Sequence, residues 1–196
     1  MKQLQKTNTL LLGVLILLQS CVSKREILYL QDIDTNPAME VNFNKTTLQA
    51  NDILKIDVGA LMPDAALPYN KIAASGQIAN NIEVMKLEGY LVSATKTIQF
   101  PVLGELSVAG KSTADLEIDI KNRLEKGGYL LDPTVTVRLL NAKVTILGEV
   151  KKPGTFTYTE NNISLLQALG LAGDLTINGD RTDIILIREA DGKRST

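Results

Sequence analysis

Few side chains in this 196-residue chain are equipped for chemistry, and the only thiol, Cys21, stands in a telling place. There is no histidine and no second cysteine. Catalysis by a nucleophile and histidine is thereby excluded, as is a zinc site built on histidine or cysteine. A metal would have to use carboxylates, and no EF-hand spacing occurs, so neither a metal site nor a cofactor is expected. Paired carboxylates could still hydrolyse a glycosidic bond. The nearest pair, Asp52 and Asp57, lies five apart in a segment that reads as strand, so the two point to opposite faces. Sugar-cleaving sites also present aromatic platforms, and here only five Tyr and three Phe occur, with no tryptophan. The residues argue against an enzyme, and no catalytic residue is expected.

Cys21 has a different use. Lys2 and Lys6 make a basic start, an apolar run extends from Leu10 to Leu18, and Leu18-Gln19-Ser20 leads into the cysteine. This is the layout of a secretory signal, and the run is far shorter than the ~20 residues of a membrane-spanning helix. A cysteine directly after the cut suits a lipoprotein signal of residues 1–20, with the Cys21 thiol acylated as the new N-terminus. An ordinary signal peptide followed by a chance cysteine is the alternative, but a lone thiol in an oxidising compartment is a liability. The bacterial lipobox usually has Ala or Gly before the cysteine; Gln19-Ser20 resembles the looser form of Bacteroidetes-type lipoproteins. Val22-Ser23-Lys24-Arg25 follows as a basic tether. It lacks the acidic tag of surface-exported lipoproteins in such organisms, so a periplasm-facing anchor is expected.

Removing residues 1–20 takes away two lysines and leaves 19 basic against 22 acidic side chains in 176 residues. That length suits one large or two small domains. No basic stripe is available to neutralise a phosphate backbone, so nucleic acid is not an expected partner. Without a second cysteine, stability has to come from core packing or assembly.

The elements that would position any site read as α+β. Glu26 to Gln31 (EILYLQ) is a short strand, and 32–47 is a polar loop around Asn36-Pro37. Asn51-Asp52 turns the chain into a half-buried strand, where Leu54, Ile56 and Val58 alternate with Lys55 and Asp57. Residues 59–88 read as an insertion or long loop. Gly89 to Val92 and Thr97 to Phe100 are expected as paired strands, with Pro101-Val102-Leu103-Gly104 continuing the second outward. Ser112 and Asp115 form a capping box opening a helix, whose apolar stripe is Leu116, Ile120 and Leu124 and whose stop is Gly127-Gly128. Val135, Val137 and Leu139 alternate as a further strand.

A second unit starts near Lys143. Val144, Ile146 and Val150 predict a strand, and Lys151-Lys152-Pro153-Gly154 a type II turn with Gly154 at positive φ. Thr155 to Thr159 returns as strand. Ser164 with Gln167 caps a short helix through Leu165, Leu166 and Leu169, ended by Gly173. Ile184 to Ile187 is expected as a last apolar strand, and Arg188 to Thr196 as a polar tail. The two units share no period, so no internal repeat is present.

Four stretches together resemble one family, the outer-membrane polysaccharide export proteins of capsule and exopolysaccharide systems. They are Gln49-Ala50-Asn51-Asp52-Ile53-Leu54, Phe100-Pro101-Val102-Leu103-Gly104, Leu131-Asp132-Pro133-Thr134-Val135-Thr136-Val137 and Gly148-Glu149-Val150-Lys151-Lys152-Pro153-Gly154. The last, with Ala168-Leu169-Gly170-Leu171-Ala172-Gly173, looks like the opening of a soluble-ligand-binding β-grasp (SLBB) module. The resemblance implies an export domain over 48–140 and an SLBB β-grasp-like module over 143–196, after a tether over 21–47. It makes Asp52, Pro101, Gly104, Asp132, Pro133, Gly148, Glu149, Pro153, Gly154 and Gly173 family-motif positions, expected to shape the fold and subunit surfaces of a ring. Where family members usually carry a glycine, this chain has Ser93-Ala94-Thr95-Lys96.

The resemblance further implies polysaccharide as cargo, a homo-oligomeric ring, and an inner-membrane partner of the co-polymerase or tyrosine-kinase-like chain-length-regulating type. A periplasmic module that captures soluble glycan is the alternative. Relatives often continue to an amphipathic pore-lining helix, which the nine residues after Ile187 cannot supply. A truncated product, a fragment and a naturally short adaptor all fit that length.

Overall fold

A computed structural model of the chain describes residue 29 and residues 46–71, 81–190 and 192–195. The lipoprotein signal, Cys21 and all of the expected strand at 26–31 except Tyr29 lie outside the described residues. Those described fold as α+β, with helices packed on small sheets.

The first unit is built around β1 (Ile53–Gly59). Its Leu54, Ile56 and Val58 are buried while Asp57 is exposed, the alternation of a strand with one face on the core. The chain enters through a tight turn in which Asn51 adopts φ 70°, a region Asn tolerates better than most residues. β1 lies between β2 (Tyr90–Leu91) and β5 (Thr134–Leu139), antiparallel to both, with Leu54 opposite Tyr90 on one side and Leu139 on the other. The side chain of Asn141 spans the sheet end: its Nδ2 donates to the Asn51 carbonyl at 2.9 Å, and its Oδ1 accepts from the Ile53 N–H at 2.9 Å.

β3 (Thr97–Phe100) pairs with β4 (Gly104–Ser107), not with β2 as expected from the sequence. The reason lies in Pro101 to Gly104, which reverse the chain instead of extending it. The Leu103 N–H donates to the Pro101 carbonyl at 2.7 Å across Val102 at φ 63°, a γ-turn, and Gly104 follows at φ 71°. Within 59–88, the described residues 59–71 and 81–88 are more structured than the loop expected from the sequence. They contain α1 (Pro63–Ala66), a 3₁₀ turn at Leu67–Tyr69 and α2 (Ile82–Glu88). Asn70 ties this stretch back to β1, accepting from the Val58 N–H and donating to the Val58 and Ala66 carbonyls.

The main helix is α3 (Thr113–Lys126). Ser112 and Asp115 form the reciprocal capping box that the sequence spells. Leu116, Ile120 and Leu124 are fully buried against the sheet and share a core with Ile98, Leu106, Val92 and Val108. Tyr90 and Phe100 stack within it, with ring centroids 5.7 Å apart. Across the helix–sheet seam, Glu117 Oε1 accepts from the Val137 N–H at 2.8 Å.

The second unit has a smaller core of Ile146, Val150, Ala168, Leu169, Ala172 and Leu175. β6 (Lys143–Ile146) pairs with β7 (Gly154–Thr157), and α4 (Leu165–Leu171) opens with the Ser164–Gln167 capping box. Three expectations fail here. Val150 is not part of β6 but bridges to Leu175. Gly154 is not at positive φ and begins β7; the left-handed residue of this loop is Gly148, at φ 97°. Ile184 to Ile187 do not form a strand, and the polar residues beyond them do: β8 (Arg188–Ala190) pairs with β9 (Lys193–Ser195). Arg194 and Glu189 cross that hairpin as an ion pair at 2.6 Å, which a composition-based reading cannot register.

Candidate functional site

The positions singled out by sequence fall into separate places. Asp52 closes the turn before β1, its Oδ2 accepting from the Gln49 N–H at 2.8 Å. Burial raises its pKa above the ordinary carboxylate value, opposed by that N–H and by Lys96. It also lines a cleft of about 230 Å³ where the two units meet. Leu48, Leu139 and Ala142 give the cleft apolar walls, and Ser112, Arg138, Tyr158, Glu160 and Asn162 supply polar ones. Of these lining residues only Asp52 was a site candidate in the sequence, and Ser112 and Leu139 entered it only as cap and strand positions, because residues 46–52, 112–114 and 158–162 meet only in the fold. The arrangement offers hydroxyl, amide and carboxylate hydrogen bonding beside apolar surface. Ser112 Oγ donates to Asp115 Oδ2 at 2.7 Å, within the capping box that opens α3.

Pro101 and Gly104 belong to the reversing turn of the β3–β4 hairpin. Asp132 adopts φ 45° and pairs with Lys121 on α3 at 2.7 Å, and that hydrogen bond holds its pKa below the usual carboxylate value. Pro133 is fully buried, and β5 begins on the next residue. In the turn after β2, Lys96 takes the left-handed conformation at φ 57° and its N–H donates to the Ser93 carbonyl at 3.0 Å, beside a hydroxyl cluster of Ser93, Thr95 and Thr97.

Glu149 and Gly173 lie along one seam of the second unit, and Gly148 and Pro153 bound the Glu149–Lys152 stretch in sequence. The Lys151 and Lys152 N–H groups donate to the carbonyls of Asp174 and Ala172 at 3.0 and 2.9 Å. The Glu149 carbonyl accepts from the Thr176 N–H at 2.9 Å, and Glu149 Oε2 accepts from the Thr176 hydroxyl at 2.7 Å. Gly179 packs so close that a Cβ there would sit 2.8 Å from the Glu149 carbonyl oxygen. Glu149 and the backbone of Lys151 and Lys152 therefore zip residues 149–152 to 172–179.

Next to this seam lies a cluster that sequence reading missed. The Tyr29 hydroxyl donates to Asp174 Oδ1 at 2.5 Å across 145 residues. Arg181 pairs with Asp174 Oδ2 at 3.4 Å and its guanidinium lies 5.2 Å from the Tyr29 ring centroid. Burial, with the Asp174 charge behind it, raises the Tyr29 pKa; the Tyr29 O–H, with the Leu175 N–H and Arg181, lowers that of Asp174. The tyrosine is thus held neutral as donor and the aspartate ionised as acceptor. Among the described residues, no three His, Cys, Asp or Glu side chains gather as a metal site would require, and no helix is long and apolar enough to cross a membrane.

These turns and the order of the two units define a class. Residues 41–140 match the polysaccharide biosynthesis/export protein family and residues 143–196 match the SLBB domain, so the chain belongs to the polysaccharide biosynthesis/export family. It is 37% identical over 143 residues to the EPS I polysaccharide export outer membrane protein EpsA of Ralstonia nicotianae, covering 70% of this chain and 37% of that protein. It is 30% identical over 148 residues to the capsule polysaccharide export outer membrane protein CtrA of Neisseria meningitidis, covering 72% of this chain and 36% of that one. A shorter likeness, 31% over 96 residues, links 47% of this chain to 23% of the exopolysaccharide production protein ExoF of Rhizobium meliloti. The chain spans little more than a third of the length of the EpsA and CtrA proteins it matches.

Proposed function

We propose that this chain is a non-enzymatic component of capsular or exopolysaccharide export across the outer membrane, acting as a periplasm-facing, ring-forming conduit or adaptor. The observation that carries the reading is the succession of an export domain and an SLBB domain along one continuous chain. We place the export domain at 48–140 and the SLBB module at 143–196, with residues 1–20 as signal peptide and Cys21 as the acylated anchor. Several acyl chains on one cysteine hold a protein at a membrane where a single chain does so only marginally. A conduit has to let its cargo slide, and the scarcity of aromatic platforms accords with that.

Assembly has support in the surface. Leu61, Met62 and Leu87 on the first unit are largely exposed, as are the consecutive Ile185, Leu186 and Ile187 on the second. Large exposed apolar groups that cluster mark interaction surfaces. The expected partners are further copies of this chain in a ring, an inner-membrane co-polymerase or kinase-like chain-length regulator, and the polysaccharide itself. In this reading Asp52, Pro101, Gly104, Asp132, Pro133, Gly148, Glu149, Pro153, Gly154 and Gly173 act by shaping turns and subunit surfaces.

The cleft at Asp52 favours one second reading, a monomer that captures a soluble glycan. Native mass spectrometry of detergent-extracted protein separates the two. A closed oligomer with no saturable oligosaccharide binding supports the conduit, and a monomer that binds oligosaccharide tightly supports the module. The anchor is tested by labelling cells with radioactive palmitate: wild type should incorporate label and Cys21→Ala should not. Equal incorporation removes the anchor from the account.

A further inference from the structure

We propose that the cleft where the two units meet is a site for a single neutral sugar unit, held by Asp52 and Arg138 of the first unit and by Tyr158 and Glu160 of the second. The proposal deepens the glycan reading of that cleft and rests on it. It is separate from the oligomeric state, because a site that takes one sugar weakly does not hold a polymer.

Size limits the ligand first. At about 230 Å³ the cleft is smaller than the ~300–1,000 Å³ of pockets that enclose drug-sized ligands. That space suits one six-membered ring and not a stretch of chain. The walls are divided as the surface of a sugar is. Leu48 and Leu139 offer apolar surface to the C–H face of a pyranose, and Tyr158 adds an aromatic body with a hydroxyl at its tip.

Around that surface stand polar groups whose hydrogen-bonding capacity the protein leaves unspent. Asp57 is taken by Lys55 at 3.0 Å, and Arg138, opposite Lys55 in the sheet, has no ion-pair partner among the described residues. Asp52 uses Oδ2 on the Gln49 N–H, and Glu160 uses Oε2 on the Thr159 N–H at 3.1 Å. The second oxygen of each carboxylate is left as an acceptor. The Tyr158 hydroxyl likewise has no protein partner among the described residues. A guanidinium that donates beside carboxylates that accept is the complement of adjacent sugar hydroxyls, each of which does both.

Charge sets the class of sugar. Among the lining side chains, Asp52 and Glu160 stand against Arg138 alone. Lys96 acts on Asp52 from outside the lining, which brings the balance no further than neutral. An anionic sugar therefore meets no net attraction there. A sugar seated in the cleft also bridges the two units, since each supplies part of the site.

The test uses the detergent-extracted full chain and saturation-transfer NMR on four probes: the methyl glycosides of glucose, galactose and mannose, and glucuronic acid. Saturable millimolar binding of at least one neutral glycoside is expected, with glucuronic acid weaker. Arg138→Gln should weaken that binding about tenfold, the weight of one hydrogen bond to a charged group. Tyr158→Ala should weaken it as well, while Tyr158→Phe, which keeps the ring, should retain most of it. Thermal melts check each fold, and either position serves if a variant at the other does not fold. Neutral-sugar binding unchanged by both Arg138→Gln and Tyr158→Ala overturns the cleft site while leaving glycan capture standing. Tighter binding of glucuronic acid overturns the neutral assignment. No saturable transfer to any of the four probes overturns the site and the glycan reading together.

Discussion

Two aspartates in the first unit illustrate how burial and partners act in opposite directions on like side chains. Asp52 is desolvated with one N–H donor and a distant lysine, and its pKa is raised. Asp119 on α3 also pays for burial, but hydrogen bonds from Lys111 at 2.8 Å and Arg123 at 3.1 Å outweigh it and lower its pKa. The consequences for stability have opposite signs. A raised carboxyl pKa costs stability at neutral pH and returns it as the group protonates on acidification. A depressed one contributes stability above its ordinary value of 3.8, lost as pH falls through the lowered pKa. Urea titrations from pH 7 down to pH 3 should therefore show the wild type gaining relative to Asp52→Asn. Over the same descent, and further below pH 3.8, it should lose its advantage over Asp119→Asn. Parallel curves for wild type and both variants would contradict these assignments.

Elements that announce themselves by period or by cap were legible in the sequence, and those set by single unusual dihedrals were not. The Ser112–Asp115 and Ser164–Gln167 boxes and the Leu116, Ile120, Leu124 stripe depend on spacing alone. Each of those three side chains is fully buried, so alanine at any one should cost ~2–5 kcal/mol in denaturant melts. By contrast, nothing in the residue types says that Val102 and Lys96 take positive φ. The β3–β4 hairpin was therefore misread as a strand running outward. Apolar composition likewise misplaced the last strand onto Ile184 to Ile187, because pairing there is decided by polar cross-strand contacts. The Gly148–Gly154 loop makes the point testable. Gly148→Ala should cost ~1–2 kcal/mol for the left-handed backbone. Gly154→Ala, at ordinary φ with no heavy atom within 4 Å of its would-be Cβ, should change stability by no more than about 0.5 kcal/mol. A reversed order would return the turn to Pro153-Gly154. For the candidate site, the glycine and Glu149 motif was visible as local text, whereas the cleft and the Tyr29 clasp join residues too distant in sequence for any local pattern.

At the scale of the molecule, a larger core and a smaller one are joined through a short connection at residues 140–142, with a cleft beside it and Tyr29 seated on the smaller unit. Both units expose large apolar side chains, among them Leu61 and Leu87 on the first and Ile185 on the second. The central claim is export, and one measurement bears on it most directly. Surface polysaccharide is quantified, beside intracellular polymer, in a strain lacking this gene and any other member of the family, with and without a restored copy. The account predicts loss of surface polysaccharide with polymer or precursor retained inside, and recovery on complementation. Unchanged surface polysaccharide in that strain would contradict it.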